Sequence, residues 1–352
     1  MTKQKNLDKI HPFTDFYFMK ILGIESSCDD TSVALLDCTG KGCFVISEKT
    51  ASQINIHKKY GGVVPEVAGR QHAEKIVPLI EKVLKGQPKP NAIAVSSGPG
   101  LITGLIVGVE AARTLSYSLD IPLVSVNHIE GHIYSTLINQ KEKIKLPALC
   151  LVASGGHTEL ILIKENEKYK LLGKTQDDAA GECFDKVAKM VNLPYPGGPQ
   201  ISKLGAKGDP TKISFPRPMM NKDNFDFSFS GLKTSCLYWL QKNKKYKVED
   251  FCASFEQAVV DVLVSKSLKA IKKYKPKTFI LSGGVSANQK LQKTLKEKIQ
   301  TEDKKIKFFT PPKGYSMDNA AMIAVAGYYH AKQKDFTPWQ KIKADPNWRL
   351  VD

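Results

Sequence analysis

Apolar residues along the chain fall into short buried-type runs separated by longer amphipathic stretches, which predicts an α/β fold. Ile21–Leu36 reads as a strand, a small polar turn and a second strand. Ala148–Ile163 repeats that plan. In the first half, Ala92–Ser97 is a buried-type strand that runs into the glycine turn Gly98–Gly104 and then a helix to about Leu119. In the second, Thr278–Ser282 runs into Gly283–Asn288 and a helix to about Ile299. A strand, a glycine turn and a helix set amide donors and the positive end of a helix dipole at one place, where an anion can bind. Two such turns and two hairpin tips, four turns at matched places, predict a duplicated α/β unit with a nucleotide cleft between its halves, rather than tight packing alone.

Composition narrows the class. With 42% hydrophobic residues over 352 positions, the chain can bury a core of about two domains. The expected division is an extension at 1–18, a first unit at 19–146, a second at 147–334 whose last helix crosses back to the first, and a tail at 335–352. The net charge of +17 favours an anionic partner. Only Arg70, Arg113, Arg217 and Arg349 are arginines, so the excess is mainly lysine, which suits general attraction to phosphate better than reading base edges. The lysine-rich stretches 242–247, 266–277 and 290–298 fall on predicted helices, where each also reads as a solvated face. Seven cysteines without a C-x-x-C pair exclude a zinc ribbon and a disulfide framework. No apolar run is long enough to span a bilayer, so the expected location is the cytoplasm.

His128 and His132 stand at i and i+4, on one face of a helix that Asn127 can cap, and two imidazoles so placed can share a metal ion. Glu130 is two residues after the first histidine rather than one, which disfavours the zincin protease pattern. Asp318, before a helix of small residues, reads either as a third ligand or as an ordinary N-cap.

Taken together, the motifs resemble the universal tRNA adenosine threonylcarbamoyltransferases, a family on the actin, Hsp70 and sugar-kinase (ribonuclease H-like) fold. The resemblance covers about residues 21–328. It rests on Gly23-Ile-Glu-Ser-Ser-Cys-Asp29, Gly61-Gly-Val-Val-Pro-Glu66, Ser97-Gly-Pro-Gly-Leu101, His128-Ile-Glu-Gly-His132 and Ser154-Gly-Gly-His-Thr158. It continues through Asp177-Asp-Ala-Ala-Gly-Glu182, Phe184-Asp-Lys186, Tyr195-Pro-Gly-Gly-Pro199, Phe227-Ser-Phe-Ser-Gly-Leu-Lys-Thr234, Ser282-Gly-Gly-Val285 and Asp318-Asn-Ala-Ala321.

The resemblance implies transfer of a threonylcarbamoyl group from threonylcarbamoyl-adenylate to N6 of adenosine 37 in tRNAs that read codons beginning with A. It implies one divalent metal ion, iron or zinc, on His128, His132 and Asp318. Val152, Ala153, Ser154, Gly155 and Gly156, with Asp185, Gly198 and Asn288, are similar to the family's contacts to the nucleotide substrate. Asp29 is the candidate acid–base or positioning carboxylate, with a turn aspartate bonded to its own backbone as the alternative. His157 is a candidate for positioning substrate and Glu130 for orienting the metal histidines. The implied partners are tRNA, an inactive TsaB-like paralogue and a TsaE-like ATPase, with a homodimer possible in their absence; the helix around Ala111–Leu119 is the expected partner surface. Departures from the family pattern are Asp30 for a glutamate, Ser202 for an aspartate, Ser316-Met317 for Cys-Thr and Arg113 for a lysine. A small-molecule kinase and a non-catalytic nucleotide-binding protein of the same fold are the rival readings.

Overall fold

The computed structural model describes residues 18–164 and 168–351; the extension expected at 1–18 lies outside them apart from Phe18. The first half runs β1 (Phe18–Glu25), β2 (Asp30–Thr39), β3 (Gly42–Ser52), the single turn α1 (Ile54–His57), α2 (Pro65–Leu84), β4 (Ala92–Gly98), α3 (Ile102–Leu119), β5 (Leu123–Asn127) and α4 (His128–Tyr134). The second begins with β6 (Ala148–Ala153), β7 (Thr158–Ile163) and β8 (Tyr169–Lys174). There follow α5 (Ala180–Met190), α6 (Gly197–Gly205), α7 (Ser230–Lys242), α8 (Val248–Tyr274), β9 (Thr278–Ser282), α9 (Gln289–Glu302), β10 (Lys307–Phe309) and α10 (Ala320–Lys332).

The two halves share one topology. Their sheets have the orders β3-β2-β1-β4-β5 and β10-β9-β6-β7-β8. In each, a three-strand antiparallel meander carries two further parallel strands on the free edge of its first strand. Duplication, read from two hairpins, therefore extends through whole sheets. The central strands are apolar throughout because both faces are covered. Leu22 and Ile24 of β1 pack with Ile76, Ile80 and Val83 of α2, whereas Ile21 points the other way into a core that also holds α10. Period-two alternation thus sorts one strand between two cores.

Helix α10 is apolar on every side, Ala-Ala-Met-Ile-Ala-Val-Ala, as a helix buried all round must be. It lies on the inner face of the first sheet, and with α4 it fills the space toward Cys150, Ile161 and Ile280 of the second. Close approach requires glycine at two points. A Cβ on Gly23 would stand 2.1 Å from the Ala320 carbonyl oxygen, and one on Gly327 would stand 2.3 Å from the Ala94 Cβ.

Three expectations change. The lysines at 243–247 follow α7 in a non-helical link rather than lying on it, since Asn243 has already left the helical region at φ −117°. Cys38 and Cys43, register partners across the β2–β3 hairpin, are joined by a disulfide, so the cysteines are not all free. The glycine turn after β4 is a packing device rather than an anion site. Its Leu101 amide donates to the Ser27 carbonyl (2.7 Å), its Gly100 amide donates to the Pro346 carbonyl (3.3 Å), and a Cβ on Gly100 would stand 2.6 Å from Ser27 O. Among the described residues, no helix is long and apolar enough to cross a membrane.

Candidate active site

The site is assembled at strand ends, where backbone groups leave the ladder and side chains can converge. Asn127, the last residue of β5, caps α4: its Oδ1 accepts from the Ile129 amide (2.9 Å) and the Glu130 amide (3.4 Å). The cap starts the helix at His128, so that His128 and His132 stack on one face with ring centroids 4.6 Å apart. At the start of α10 the cap is Asn319, whose Oδ1 accepts from the Met322 amide (2.9 Å). Asp318 is thereby freed from capping. Its Oδ1 lies 3.6 Å from His128 Nε2 and 3.2 Å from His132 Nε2.

His128, His132 and Asp318 can offer three ligand atoms within 4.8 Å of one another. Among the described residues, neither ring nitrogen of the fully buried His132 has a well-aligned hydrogen-bond partner, even with Asp318 so close. An orphaned imidazole is costly unless something takes its lone pair, and a cation shared by the three groups would do so. His128 is oriented from behind: its Nδ1 lies 3.0 Å from both Glu25 Oε2 and Ser27 Oγ. With Nδ1 donating to Glu25, Nε2 on the Asp318 side is the nitrogen that would be left to a metal ion, which would displace its proton, the carboxylate–histidine arrangement that supports a metal ligand. Burial, the largest influence on His128, disfavours its charged form, yet Glu25 and Asp318 outweigh it and its pKa rises to about 9. The residues present fit a divalent ion.

Glu25 therefore does what Glu130 was expected to do. Glu130 turns away, accepting from the Tyr169 hydroxyl (2.8 Å) and pairing with His330 Nε2 (2.8 Å), whose Nδ1 pairs with Asp335 (2.8 Å). Its position midway between the two ligands puts it on a different face of α4. Glu25→Gln should weaken metal binding by about 10–100-fold while leaving the fold intact, measured by competition with a chelating indicator; unchanged affinity would remove Glu25 from the site.

The His330 network gives a pH signature. Burial lowers the pKa of His330, but hydrogen bonds and charge from Glu130 and Asp335 raise it to about 9, above the 6.5 of a free imidazole. Its contribution is complete below pH ~6.5 and is lost as pH rises through ~9. His330→Gln is expected to cost about 2–3 kcal/mol at pH 6 and under ~1 kcal/mol at pH 10, read from denaturant unfolding. An equal cost at both pH values would rule out a charged His330.

Asp29 sits in the β1–β2 turn. Burial, followed by the Asp318 charge, raises its pKa, as suits a group that takes up and releases a proton. Its neighbour Asp30 is pushed up to about 6, chiefly by burial. The turn is braced by His72 of α2, which donates from Nε2 to the Cys28 carbonyl (3.0 Å) and accepts the Thr31 hydroxyl at Nδ1 (2.8 Å). Burial, and then the charges of Asp29 and Asp185, push the Tyr195 hydroxyl up, so Tyr195 lies near a carboxylate from each half. The two halves face one another here.

The remaining predicted residues are linked by contact along the second half. Val152 and Ala153 end β6, and Ala153 O would stand 2.4 Å from a Cβ on Gly283, which the turn after β9 holds at φ +83°. Ser154 O accepts from the Gly181 amide at the start of α5 (3.1 Å), and one turn along α5 Asp185 Oδ1 accepts from the Gly197 amide (2.7 Å). Gly155, Gly156 and Gly198 are open: a Cβ on the first two would meet nothing within 4 Å, and on Gly198 only Phe184 Cβ at 3.9 Å. Asn288 caps α9 through Oδ1, while its Nδ2 donates to Glu256 Oε1 (2.7 Å) and Ser202 Oγ (3.0 Å). Ser202 itself donates to Glu256 (2.7 Å), so Ser202 serves the Asn288 network. His157, in the same turn, is held neutral by burial and by the charges of His128 and His132, with a pKa near 4.

Residue-by-residue reading missed Glu25, Ser27, His72, Tyr195 and Glu256. Glu256 had a visible signal, a lone carboxylate in the run Phe251–Val260, and it is almost fully buried.

Residues 44–325 match the family described as TsaD: tRNA N6-adenosine threonylcarbamoyltransferase. A protein of that name from Thermotoga neapolitana is 45% identical over 331 residues, covering 94% of this chain and 99% of its own. One from Listeria monocytogenes is 47% identical over 343 residues, covering 94% and 97%. Among solved structures, full-length HypF in a phosphate- and nucleotide-bound form superposes with a TM-score of 0.57 at 14% identity, over 90% of this chain and 47% of HypF, a likeness of fold alone. With a family match across most of its length, relatives of nearly equal length at 45–47% identity, and the paired histidines and aspartate in place, the chain belongs to the TsaD family of tRNA N6-adenosine threonylcarbamoyltransferases.

Proposed function

We propose that the chain transfers the threonylcarbamoyl group of threonylcarbamoyl-adenylate to N6 of adenosine 37 in tRNAs reading codons that begin with A. The observation that carries this is the convergence of His128, His132 and Asp318, close enough to His157 of the β6–β7 turn for their charges to act on it. The adenylate lies along that turn, with Asp185, Gly198 and Asn288 on its nucleoside side and the backbone of Val152 and Ala153 beneath it. Neutral His157 stands where it can position the carbamoyl group. N6 attacks the carbamoyl carbon, the bond from that carbon to the phosphate oxygen breaks, and AMP leaves with the electron pair. The N6 proton passes to Asp29. One divalent ion, iron or zinc, on the three ligands would polarise the carbamoyl oxygen when bound.

The proposed protein partner is a TsaB-like paralogue seated on α2 and α3, where Val77, Ile102, Ile106 and Tyr117 are exposed and apolar, with a TsaE-like ATPase joining the assembly. The net charge of +17 serves tRNA attraction without base reading. The test supplies purified full chain, metal and partner proteins with threonylcarbamoyl-adenylate and an unmodified transcript. The modified nucleoside is the expected product, and its absence with metal bound would overturn the reading. A kinase of this fold gives no task to the buried histidine pair.

A further inference from the structure

Beyond α10 the chain does not hang free. It returns to the first half and is fastened along it. Thr337 donates its amide to Leu123 O (2.8 Å), Arg113 donates to Ile342 O (2.5 Å), and the Asp345 amide donates to Ser97 O (2.7 Å). Asn127, which caps the metal-bearing helix with its oxygen, donates from Nδ2 to Trp348 O (3.3 Å). Gly98 makes the approach possible, since a Cβ there would stand 1.8 Å from Asp345 O and 3.1 Å from Trp348 Cβ. Held this way, residues 346–351 form one side of a cavity of about 280 Å³. Its other sides are Ile129, next to a metal ligand, the turn residues Gly156 and His157, and the end of β8 with Lys174.

We propose that this cavity receives the acceptor nucleoside of the tRNA, with Trp348 as the surface on which its base stacks and Arg349 and Lys174 meeting the flanking phosphates. The inference rests on the tRNA-modifying reading above and names the part of the protein that holds the second substrate. The β6–β7 turn borders both substrates: Ser154 O joins it to α5, which carries Asp185, while Gly156 and His157 line the cavity. A single nucleoside, flipped from its stack, calls for an aromatic face and cations at its edges. The cavity wall supplies both. Arg349 is exposed and makes no hydrogen bond or ion pair among the described residues, so its guanidinium is available to a phosphate. Glu159, also on the wall, is partly offset by Lys174, its register partner across β7 and β8.

The test compares full-length, metal-loaded wild type with Arg349→Ala, Arg349→Lys, Trp348→Ala and Trp348→Phe. Arg349→Ala should raise KM for tRNA about 10-fold, change KM for threonylcarbamoyl-adenylate less than about 2-fold, and reduce the salt slope of tRNA binding by about one. Trp348→Ala should weaken binding of an unmodified anticodon stem-loop about 10-fold. The Lys and Phe variants should recover most of each loss. Stem-loop binding decides the pocket without turnover: affinity unchanged in both alanine variants overturns it, as does a rise confined to KM for the adenylate. A wild type that binds the stem-loop through these residues yet forms no modified nucleoside would sink the reaction assigned above and leave the pocket standing.

Discussion

Replacing His132 with alanine is expected to yield a folded chain that holds no metal and transfers threonylcarbamoyl about 10³-fold more slowly, a loss of about 4 kcal/mol of transition-state stabilisation. The stability change of the metal-free chain should be about 2 kcal/mol: the buried ring leaves a cavity and Asp318 loses its neighbour 3.2 Å away, offset in part because Nδ1 has no partner among the described residues. Metal content by mass spectrometry, unfolding by denaturant and formation of the modified nucleoside are measured on one preparation. Full metal content in the variant would show that the ion, if needed, is held elsewhere. Activity retained without metal would remove the ion from the reaction.

The second large effect is on the fold, and it reaches the site at a distance. Gly23→Ala puts a Cβ 2.1 Å from the Ala320 carbonyl oxygen and 3.0 Å from both Ala324 Cβ and Ala324 N. All of these belong to α10, whose backbone cannot turn aside as a flexible side chain would. The helix must lift off β1 along its length, costing about 3 kcal/mol or more, at the upper end for an overpacked core. Asp318 stands two residues before that helix, so the same displacement draws a ligand away from the histidines. Gly23→Ala should therefore lower both the denaturant midpoint and the metal affinity. Gly156→Ala is the control, because a Cβ there meets no protein atom within 4 Å and stability should change by less than about 0.5 kcal/mol. Equal stability of the two variants would contradict the close contact of α10 with β1.

Much of this was legible in the sequence because the informative signals are local. The duplicated hairpins predicted the β1–β2 and β6–β7 pairs, though not the third strand of each meander, and Asn127 with histidines four apart predicted the capped helix and its shared face. Asp318 was ambiguous, since an aspartate two residues before a helix and one at its cap look alike until the neighbouring Asn319 takes the cap. Glu130 misled for the opposite reason: nearness in sequence to two ligands says little when helical periodicity turns the residue to another face. Glu25, 103 residues from His128, gives no spacing signal, and neither do Glu256 and Asn288, brought together across 32. The turn after β4 has the glycines of an anion site. Only the carbonyls of Pro346 and Ser27, which accept its Gly100 and Leu101 amides, reveal that it is used for packing.

The position of α10 in the chain has a consequence for synthesis. The core between the sheets holds Met19, Ile21, Ala92 and Val124 from the first half, and it is covered by residues 320–331, made some 300 residues after β1. A contact of that sequence separation closes late, because the loop entropy must be met before any burial repays it. While the chain emerges, the inner face of the first sheet is exposed, and it is an apolar surface of the kind that aggregates or recruits chaperones. The half translated first is thus the half whose folding waits for the far end of the chain.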